Sequence, residues 1–456
     1  MSAPVLTVIG AGLAGCEAAW TAANAGVPVT LVEMKPGKRT PAHREDGFAE
    51  LVCSNSLKAS RVDSAAGLLK EELRRMGSVC LQAAAECAVP AGGALAVDRE
   101  QFSRGVTRRI LSHPLITVER REQLRLPEEG VAVIATGPLT SEGLAEDIRR
   151  LCGGGLSFYD AAAPIVAADS VDPEHSFYAS RYGRDAEEGG GTQGDYLNCP
   201  LNKEQYEAFH TALVTARTAP LHDFDCGEGR RVYEGCMPIE VLAGRGLDAI
   251  RFGPMKPVGL RDPRTGHRPW AVLQLRRENA AGTMLNLVGF QTNLAFPEQK
   301  RVFGMIPALR EARYLRYGVM HRNTFLDSPR LLTAGYRFRN RSGLFFAGQM
   351  TGVEGYMESA SSGLLAGVNA VRAVCGAPEL HLPEDTMVGA LAAYISRGPA
   401  SGKPGDFQPM GANFGILPPL ETTERDKRKR YAALADRALN SLMICLETAS
   451  GALSVC

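Results

Sequence analysis

Residues 5–33 contain two short apolar runs on either side of a small-residue stretch, and this pattern restricts the fold more than any other feature. Val5–Ile9 is a continuous apolar run that stops at a glycine, which predicts a buried β-strand. Leu13–Asn24 is rich in alanine and predicts a closely packed helix, and Val29–Glu33 predicts a second buried strand. The order strand, helix, strand predicts a βαβ unit with parallel strands.

The turn between the first strand and the helix has three glycines at the spacing of a nucleotide-binding loop. Gly10, Gly12 and Gly15 fit the GxGxxG pattern, which lets the backbone approach a pyrophosphate at the helix N-terminus. Glu33 follows about 20 residues later, where its carboxylate can accept hydrogen bonds from a ribose diol. An ordinary turn is the alternative, but the flanking strand and helix favour a nucleotide loop. The predicted nucleotide-binding residues here are Gly10, Ala11, Gly12, Leu13, Ala14, Gly15 and Glu33.

Two later apolar runs also end in glycine and predict further buried strands. These are Val131–Gly137 and Leu344–Gly348, and the second leads into a small-residue helix. A second strand–loop–helix joint can present helix N-terminal amides to the flavin ring and ribityl chain of FAD, although plain packing of small residues is an alternative. We therefore expect further FAD contacts at Gly137, Gly348, Gln349, Gly352 and Tyr356.

The separation of these segments predicts a discontinuous domain. The predicted fold class is α/β, a split Rossmann-type FAD-binding domain with an inserted α+β domain. We expect the FAD-binding domain to comprise residues 1–165 and 326–456, and the insertion residues 166–325, which include the strand-like Thr283–Phe290. Near the C-terminus, Glu421–Leu446 predicts a helix with a basic run.

Composition limits the classes of function. Lysine plus arginine number 51 against 50 for aspartate plus glutamate, so no overall field attracts nucleic acid or membrane, and any RNA contact needs a local patch. The first lysine is Lys35 and the first apolar run is short, which predicts a cytoplasmic protein with neither a signal peptide nor a membrane span. The 11 cysteines show no clustering with histidine, so no metal site is expected.

Two cysteines lie in unusual sequence surroundings. Cys53 and Cys236 both stand in polar or Gly/Pro-broken sequence, whereas most cysteines are inert and buried. Cys226 is a rival candidate for a reactive thiol, but its acidic neighbours would raise its pKa. Spacing alone does not identify the nucleophile.

A basic segment with interspersed aromatic residues runs from Lys300 to Arg322. Such a mixture suits phosphate contact and base stacking, although a solvated amphipathic helix would look similar. We expect its arginines to lie on a helix that contacts RNA. The residues in question are Arg310, Arg313 and Arg316, with Phe303, Tyr314 and Tyr317 among them.

Several segments together resemble one family, and the similarity extends over nearly the whole chain. They are Gly10–Ala19, Leu51–Ser56, Glu234–Glu240, Gly289–Leu294, Tyr317–Thr324 and Phe346–Gln349. The chain resembles the bacterial TrmFO family of folate- and FAD-dependent tRNA (uracil-5-)-methyltransferases. The cysteine segments and the Tyr317–Thr324 block are far more specific than the glycine loop.

The resemblance implies that the chain forms 5-methyluridine in the T-loop of tRNA. Carbon would come from 5,10-methylenetetrahydrofolate and hydride from FAD that NADH or NADPH has reduced. Cys53 and Cys236 match the two functional cysteines of the family, and one of them would add to C6 of uracil. Candidates for proton transfer are Glu234, Glu240, Glu354 and Glu358. No obligate protein partner is expected.

Two other functions remain open from the sequence. The related GidA/MnmG family modifies wobble uridine with folate and FAD, but it carries a longer C-terminal helical extension. A small-molecule FAD oxidoreductase would need a CxxxxC redox pair or an aromatic cage, and a second nucleotide fingerprint, and the sequence has neither.

Overall fold

The computed structural model describes residues 5–40, 42–153, 156–161, 163–183, 194–219, 237–279, 281–318, 320–398, 407–421 and 424–453. The strands are β1 (Leu6–Ile9), β2 (Val29–Glu33), β3 (Ser56–Ala59), β4 (Ala88–Val89), β5 (Ala94–Val97), β6 (Ile116–Arg120), β7 (Val131–Ile134), β8 (Leu156–Ala161), β9 (Ile165–Ala167), β10 (Phe177–Tyr178), β11 (Tyr196–Leu201), β12 (Ala271–Arg277), β13 (Met284–Leu287), β14 (Tyr314–Arg316), β15 (Met320–Phe325) and β16 (Leu344–Phe346). The α-helices are α1 (Leu13–Asn24), α2 (Ala65–Arg75), α3 (Val79–Glu86), α4 (Arg99–Ser112), α5 (Glu142–Cys152), α6 (Lys203–Val214), α7 (Ile239–Ala243), α8 (Ala249–Phe252), α9 (Phe296–Phe303), α10 (Ser328–Leu331), α11 (Tyr356–Val374), α12 (Met387–Arg397) and α13 (Lys427–Leu453).

The first sheet is parallel and contains the N-terminal βαβ unit. Its strand order is β16-β7-β1-β2-β6, and β1 pairs with both β2 and β7. The strands are apolar because helices cover both faces of such a sheet. The predicted α/β class is confirmed, and α1 and β2 have the predicted bounds. The two later runs also form strands, but β7 and β16 leave the sheet before their glycines.

Glycines allow α1 to pack closely against α11. A Cβ added at Gly363 would overlap backbone atoms of Ala14, and one added at Gly367 would lie 2.8 Å from the Cα of Ala18. The small residues therefore bring the two helix backbones together beside the parallel sheet. This contact joins sequence segments that are about 350 positions apart, as a discontinuous domain would require.

The second sheet is antiparallel and has the strand order β10-β11-β12-β13-β9-β14. The predicted strand at Thr283–Phe290 is shorter than expected, because β13 covers Met284–Leu287 and Gly289 then turns the chain at φ +78°. Phe290 continues into the core, where its ring lies 6.1 Å from Phe209 and 5.3 Å from Phe303. Phe303 is thus a core residue and cannot stack on RNA as predicted.

The buried residues fall into two main clusters that follow the predicted division of the chain. One cluster draws on residues 6–152 and 325–442, and the other on residues 166–312. The antiparallel pair β8–β15 lies between them in sequence. These two cores support the domain boundaries proposed from the sequence, which remain a prediction.

Two predicted helices differ from the structure. The C-terminal helix begins at Lys427 instead of Glu421, because the Asp426 carboxylate accepts the backbone N–H of Lys429 at 2.8 Å and caps the first turn. The expected helix carrying Arg310, Arg313 and Arg316 is wrong: Arg310 follows a short 3₁₀ turn, and Arg316 ends β14. Across the described residues, none of the helices combines the length and apolarity that crossing a membrane requires.

Candidate functional site

A cavity opens where strands of the parallel sheet end at their carboxyl edge. The empty volume between its walls, including the open space at its mouth, is about 1130 Å³. It extends from the glycine loop after β1, past the end of β2 and the turn after β7, to the start of α11. The predicted residues that line it are Gly10, Ala11, Gly12, Leu13, Ala14, Glu33, Gly137, Gly348, Gln349 and Tyr356.

The glycine loop has the shape of a cradle for a ligand. Gly10 has φ +97°, and a Cβ there would lie 2.6 Å from the carbonyl oxygen of Ala135. A Cβ at Gly12 or Gly137, by contrast, would meet no protein atom within 4 Å. The space in front of Gly12 is therefore free for a ligand at the N-terminus of α1, as pyrophosphate binding requires.

Two predicted contact residues do not line the cavity. Gly15 lies beneath the loop, where a side chain would overlap the carbonyl of Gly10. Gly352 has φ +87°, and a Cβ there would lie 2.5 Å from the ring of Phe407. Close packing accounts for both glycines.

Glu33 lies at the end of β2 and is almost fully buried. Its carboxylate accepts the backbone N–H of Ala11 at 2.8 Å and that of Lys35 at 2.9 Å. A carboxylate has about four acceptor positions, so lone pairs remain for hydroxyl groups in the cavity. Glu33 thus fixes the glycine loop and can also accept hydrogen bonds from a ribose.

Cys53 lies beside the cavity and is held by Tyr356. The Tyr356 hydroxyl accepts the backbone N–H of Cys53 at 2.8 Å and of Ser54 at 3.2 Å, and its oxygen lies 3.0 Å from the Cys53 sulfur. Burial, and then the neighbouring Cys53, raises the pKa of Tyr356 well above its ordinary value. The phenol therefore stays protonated, and because both backbone groups donate to its oxygen, its own hydrogen can be donated to the Cys53 sulfur.

A cleft of mixed charge adjoins the cavity on the side of Cys53, with three arginines and five carboxylates in its lining. Arg44, Arg99 and Arg316 line it, and Glu50 lines both the cleft and the cavity. Arg99 pairs with the buried Glu278 at 2.6 Å. Arg316 is half-buried, and no carboxylate lies within ion-pair distance of it in the described part of the chain.

The charge state of Arg316 follows from these neighbours. Burial, and then Arg99 and Arg44, lowers its pKa, yet a guanidinium stays protonated in proteins. A half-buried cation without a counterion favours an anionic ligand. Arg316 was predicted from the sequence as a phosphate contact. Arg99 was not predicted, because arginines at the start of a helix are common and the sequence does not distinguish this one.

The described carboxylates proposed for proton transfer all have protein partners. Glu354 accepts from the Gln349 amide at 2.8 Å, and Glu358 pairs with Lys58 at 2.6 Å. Glu240 accepts the backbone N–H of Asn293 at 2.8 Å, and burial raises its pKa. These contacts fit structural roles. Among the described residues, no group of three or more metal-ligating side chains is present.

Cys236 lies outside the described residues, as do Cys226 and Glu234. The described residues before and after this segment both bond to the short strip Gln291–Asn293. The Ala219 N–H donates to the Asn293 carbonyl at 2.7 Å, and the Ile239 N–H donates to the Gln291 carbonyl at 2.7 Å. The segment that carries Cys236 therefore starts and ends at the motif Gly289–Leu294.

Comparison with known proteins identifies the family. A protein of Symbiobacterium thermophilum named Methylenetetrahydrofolate--tRNA-(uracil-5-)-methyltransferase TrmFO is 57% identical over 446 residues, which is 97% of each chain. A protein of the same name from Enterococcus faecalis is 55% identical over 95% of this chain and 97% of its own. Residues 5–378 match the family Glucose inhibited division protein A. The chain belongs to the TrmFO group of this family.

A solved structure confirms the fold. The structure of Aquifex aeolicus GidA in the form II crystal matches with a TM-score of 0.70 at 16% sequence identity, covering 97% of this chain and 74% of that one. At this identity the likeness concerns the fold alone. The family resemblance found in the sequence motifs is thus confirmed by the full-length relatives, and the predicted fold class by the solved structure.

Proposed function

We propose that this protein is a methylenetetrahydrofolate- and FAD-dependent tRNA (uracil-5-)-methyltransferase that forms 5-methyluridine in the T-loop of tRNA. The observation that carries the proposal is a cysteine of the family motif, Cys53, held beside a nucleotide-shaped cavity. The full-length relatives named for this activity support it. As tRNA is its substrate, we expect it to act in the cytoplasm, without an obligate protein partner.

The cavity fits FAD. Open space in front of Gly12 and Gly137 suits the pyrophosphate and flavin portions, and Glu33 is placed for the ribose. Gln349 and Tyr356 line the opposite wall at the start of α11. When bound, FAD would supply the hydride that reduces the transferred carbon, after its own reduction by NADH or NADPH.

The reaction requires a thiolate because C5 of uracil is a poor nucleophile. Addition of a thiolate to C6 moves the ring electron pair toward C5 and the C4 oxygen, which forms an enolate. C5 then bonds to the methylene carbon of 5,10-methylenetetrahydrofolate as one of that carbon's two C–N bonds breaks. C5 loses its proton to a base as the second C–N bond breaks and tetrahydrofolate leaves, and the resulting exocyclic methylene would accept the hydride that reduced FAD supplies. Elimination of the thiolate from C6 restores the double bond. Cys53 and Cys236 are the proposed thiols, one as nucleophile and the other as base or partner.

A hydroxyl group and two guanidinium groups lie near the Cys53 sulfur. The sulfur receives the Tyr356 hydrogen bond, and Arg99 and Arg316 place positive charge nearby. Arg316 is also free to bind an anionic group of a substrate entering the cleft, such as a carboxylate or a phosphate. The cleft therefore combines substrate binding with activation of the thiol.

The test is incubation of the purified protein with FAD, NADPH, methylenetetrahydrofolate and an unmodified tRNA transcript, followed by nucleoside analysis. We expect 5-methyluridine. Cys53→Ala and Cys236→Ala should each abolish it or nearly so, while the matched control Cys226→Ala stays active. Failure of the wild type, or full activity of both variants, would contradict the proposal. A product at the wobble uridine instead would indicate the GidA-type reaction.

The nucleophile can be assigned by trapping. With tRNA that contains 5-fluorouracil no proton can leave C5, so the C6 thioether should accumulate as a covalent protein–RNA adduct. We expect one of the two cysteine variants to lose this adduct. Mass mapping of the adduct to Cys226 would refute the assignment of both motif cysteines.

A further inference from the structure

Three aromatic rings form a column at the edge of the second sheet. Tyr317 stands in the middle, with its ring centroid 4.8 Å from that of Phe296 and 5.1 Å from that of Tyr314. The interplanar angles are 16° and 6°, so the three rings are nearly parallel. Tyr314 is half-buried at the inner end, whereas Phe296 remains 49% exposed at the outer end.

The column is held rigidly. Phe296 is the first residue of α9, and the buried Gln299 one turn later clamps the strand end that carries Tyr317. The Gln299 amide accepts the Gly318 N–H at 2.8 Å and donates to the Gly318 carbonyl at 2.8 Å. It also donates to the Leu294 carbonyl at 2.7 Å. An exposed ring that is fixed in this way loses little side-chain entropy when a second flat group stacks on it.

The charge around the exposed ring is positive. Lys300 and Arg301 are exposed in the last turn of α9, and Arg217 is exposed before it in the chain. Glu298, in the first turn of α9, already pairs with Arg301 at 2.5 Å and with Arg217 at 3.7 Å. A flat apolar face with a basic border favours a ligand that is both aromatic and anionic. An unpaired nucleotide of RNA has both properties.

The column also adjoins the described part of the proposed active site. Arg316, directly before Tyr317, lines the cleft beside Cys53. The strip directly before Phe296 anchors the segment that carries Cys236 through the Asn293 carbonyl. A nucleotide stacked on Phe296 would therefore be adjacent to the cleft beside Cys53.

We propose that the Phe296–Tyr317–Tyr314 column is a stacking platform for an unpaired base of the tRNA substrate, next to the uridine that is methylated. The inference rests on the proposed function, because it takes tRNA as the ligand. A target uridine must leave its own stack to reach a thiol, which leaves its neighbours without a partner. The exposed face of Phe296 would replace that partner.

The experiment measures the affinity of a fluorescent T-arm hairpin for the FAD-loaded protein at several salt concentrations. Phe296→Ala should raise the Kd about 5- to 150-fold, which corresponds to the ~1–3 kcal/mol of one base–aromatic stack. The dependence of log Kd on log salt should not change, because no phosphate contact is lost. Phe296→Trp should restore affinity, and its indole fluorescence should be quenched by RNA. The matched control is Phe252→Ala, since Phe252 is 68% exposed at the end of another helix.

Each outcome separates this inference from the proposed function. If wild type methylates tRNA but Phe296→Ala binds the hairpin with wild-type affinity, the platform is refuted and the methyltransferase proposal stands. If Phe296→Ala changes the oligomeric state, measured by sedimentation, and leaves the RNA affinity unchanged, then Phe296 is a protein contact. That result would also refute the stacking platform. If Phe252→Ala weakens binding as strongly, the effect is not specific to the column and the proposal fails.

Discussion

Replacing Gly12 tests the cofactor site without disturbing the fold. Gly12 has φ −72° and ψ −172°, an extended conformation that valine adopts readily, and a Cβ there meets no protein atom within 4 Å. Gly12→Val should therefore cost the apoprotein only about 1 kcal/mol, from a poorer N-cap. The added methyl groups would occupy the space for the pyrophosphate, so we expect the purified variant to be colourless.

The magnitude can be worked out for a thermal shift. FAD at 100 times its Kd stabilises a protein by ~2.7 kcal/mol. The entropy of unfolding is about 2.1 cal/mol/K per residue, or roughly 1 kcal/mol/K for 456 residues, so FAD should raise the Tm of wild type by about 3 °C. Gly12→Val should lose this increment but keep its apo Tm within about 1 °C. Gly15→Val is the contrast, because its side chain overlaps Gly10 and should destabilise the protein with or without FAD. A yellow Gly12→Val protein with the full FAD shift would refute the assigned loop.

Two further predictions concern buried polar groups. Tyr356→Phe removes the hydroxyl that can donate to the Cys53 sulfur. Because a charge-assisted hydrogen bond contributes ~1.5–3 kcal/mol, the pH midpoint of Cys53 alkylation by iodoacetamide should rise by about 1–2 units. Tyr394→Phe, whose hydroxyl bonds elsewhere, should leave the profile unchanged, and an equal shift in both would contradict the assignment. Burial lowers the pKa of Lys70 to about 8. Between pH 8 and about 10.4 the unfolded chain therefore binds more protons than the folded chain, so the free energy of unfolding should rise with pH. Urea titrations of Lys70→Met should lack this rise, and parallel curves for both proteins would show that Lys70 is not responsible.

The parallel half of the fold could be predicted closely because its signals are local. The apolar runs of β1 and β2 and the glycine loop between them depend on neighbours within a few residues, and α1 came out with its predicted bounds. The C-terminal helix was misplaced by six residues at its start because the capping Asp426 lies inside a run of charged residues. The basic segment was misread as a helix because β14 takes its conformation from pairing with β9, which no local pattern records.

Site residues could be predicted where the local backbone conformation requires them. They were harder to predict where a contact with a distant part of the chain decides their role. Gly10, Gly12 and Glu33 occupy the predicted positions because the loop and the strand end fix them. Gly352 packs on Phe407, a contact between segments whose proximity the sequence does not show. Phe296 was not considered, because its stacking on Tyr317 joins residues 21 positions apart across a helix and a strand.

The contact between Cys53 and Tyr356 links the proposed FAD site to the proposed reactive thiol. The two residues are 303 positions apart, yet the Tyr356 hydroxyl bonds both the backbone and the sulfur of Cys53. Tyr356 is also the first residue of α11 and lines the cavity, so a bound flavin would restrict the same side chain that orients the thiol. Loss of FAD should therefore loosen Cys53 as well as remove the hydride source. It follows that iodoacetamide should alkylate Cys53 at different rates in the apo and FAD-loaded proteins, whereas equal rates would show that the cavity and the thiol act independently.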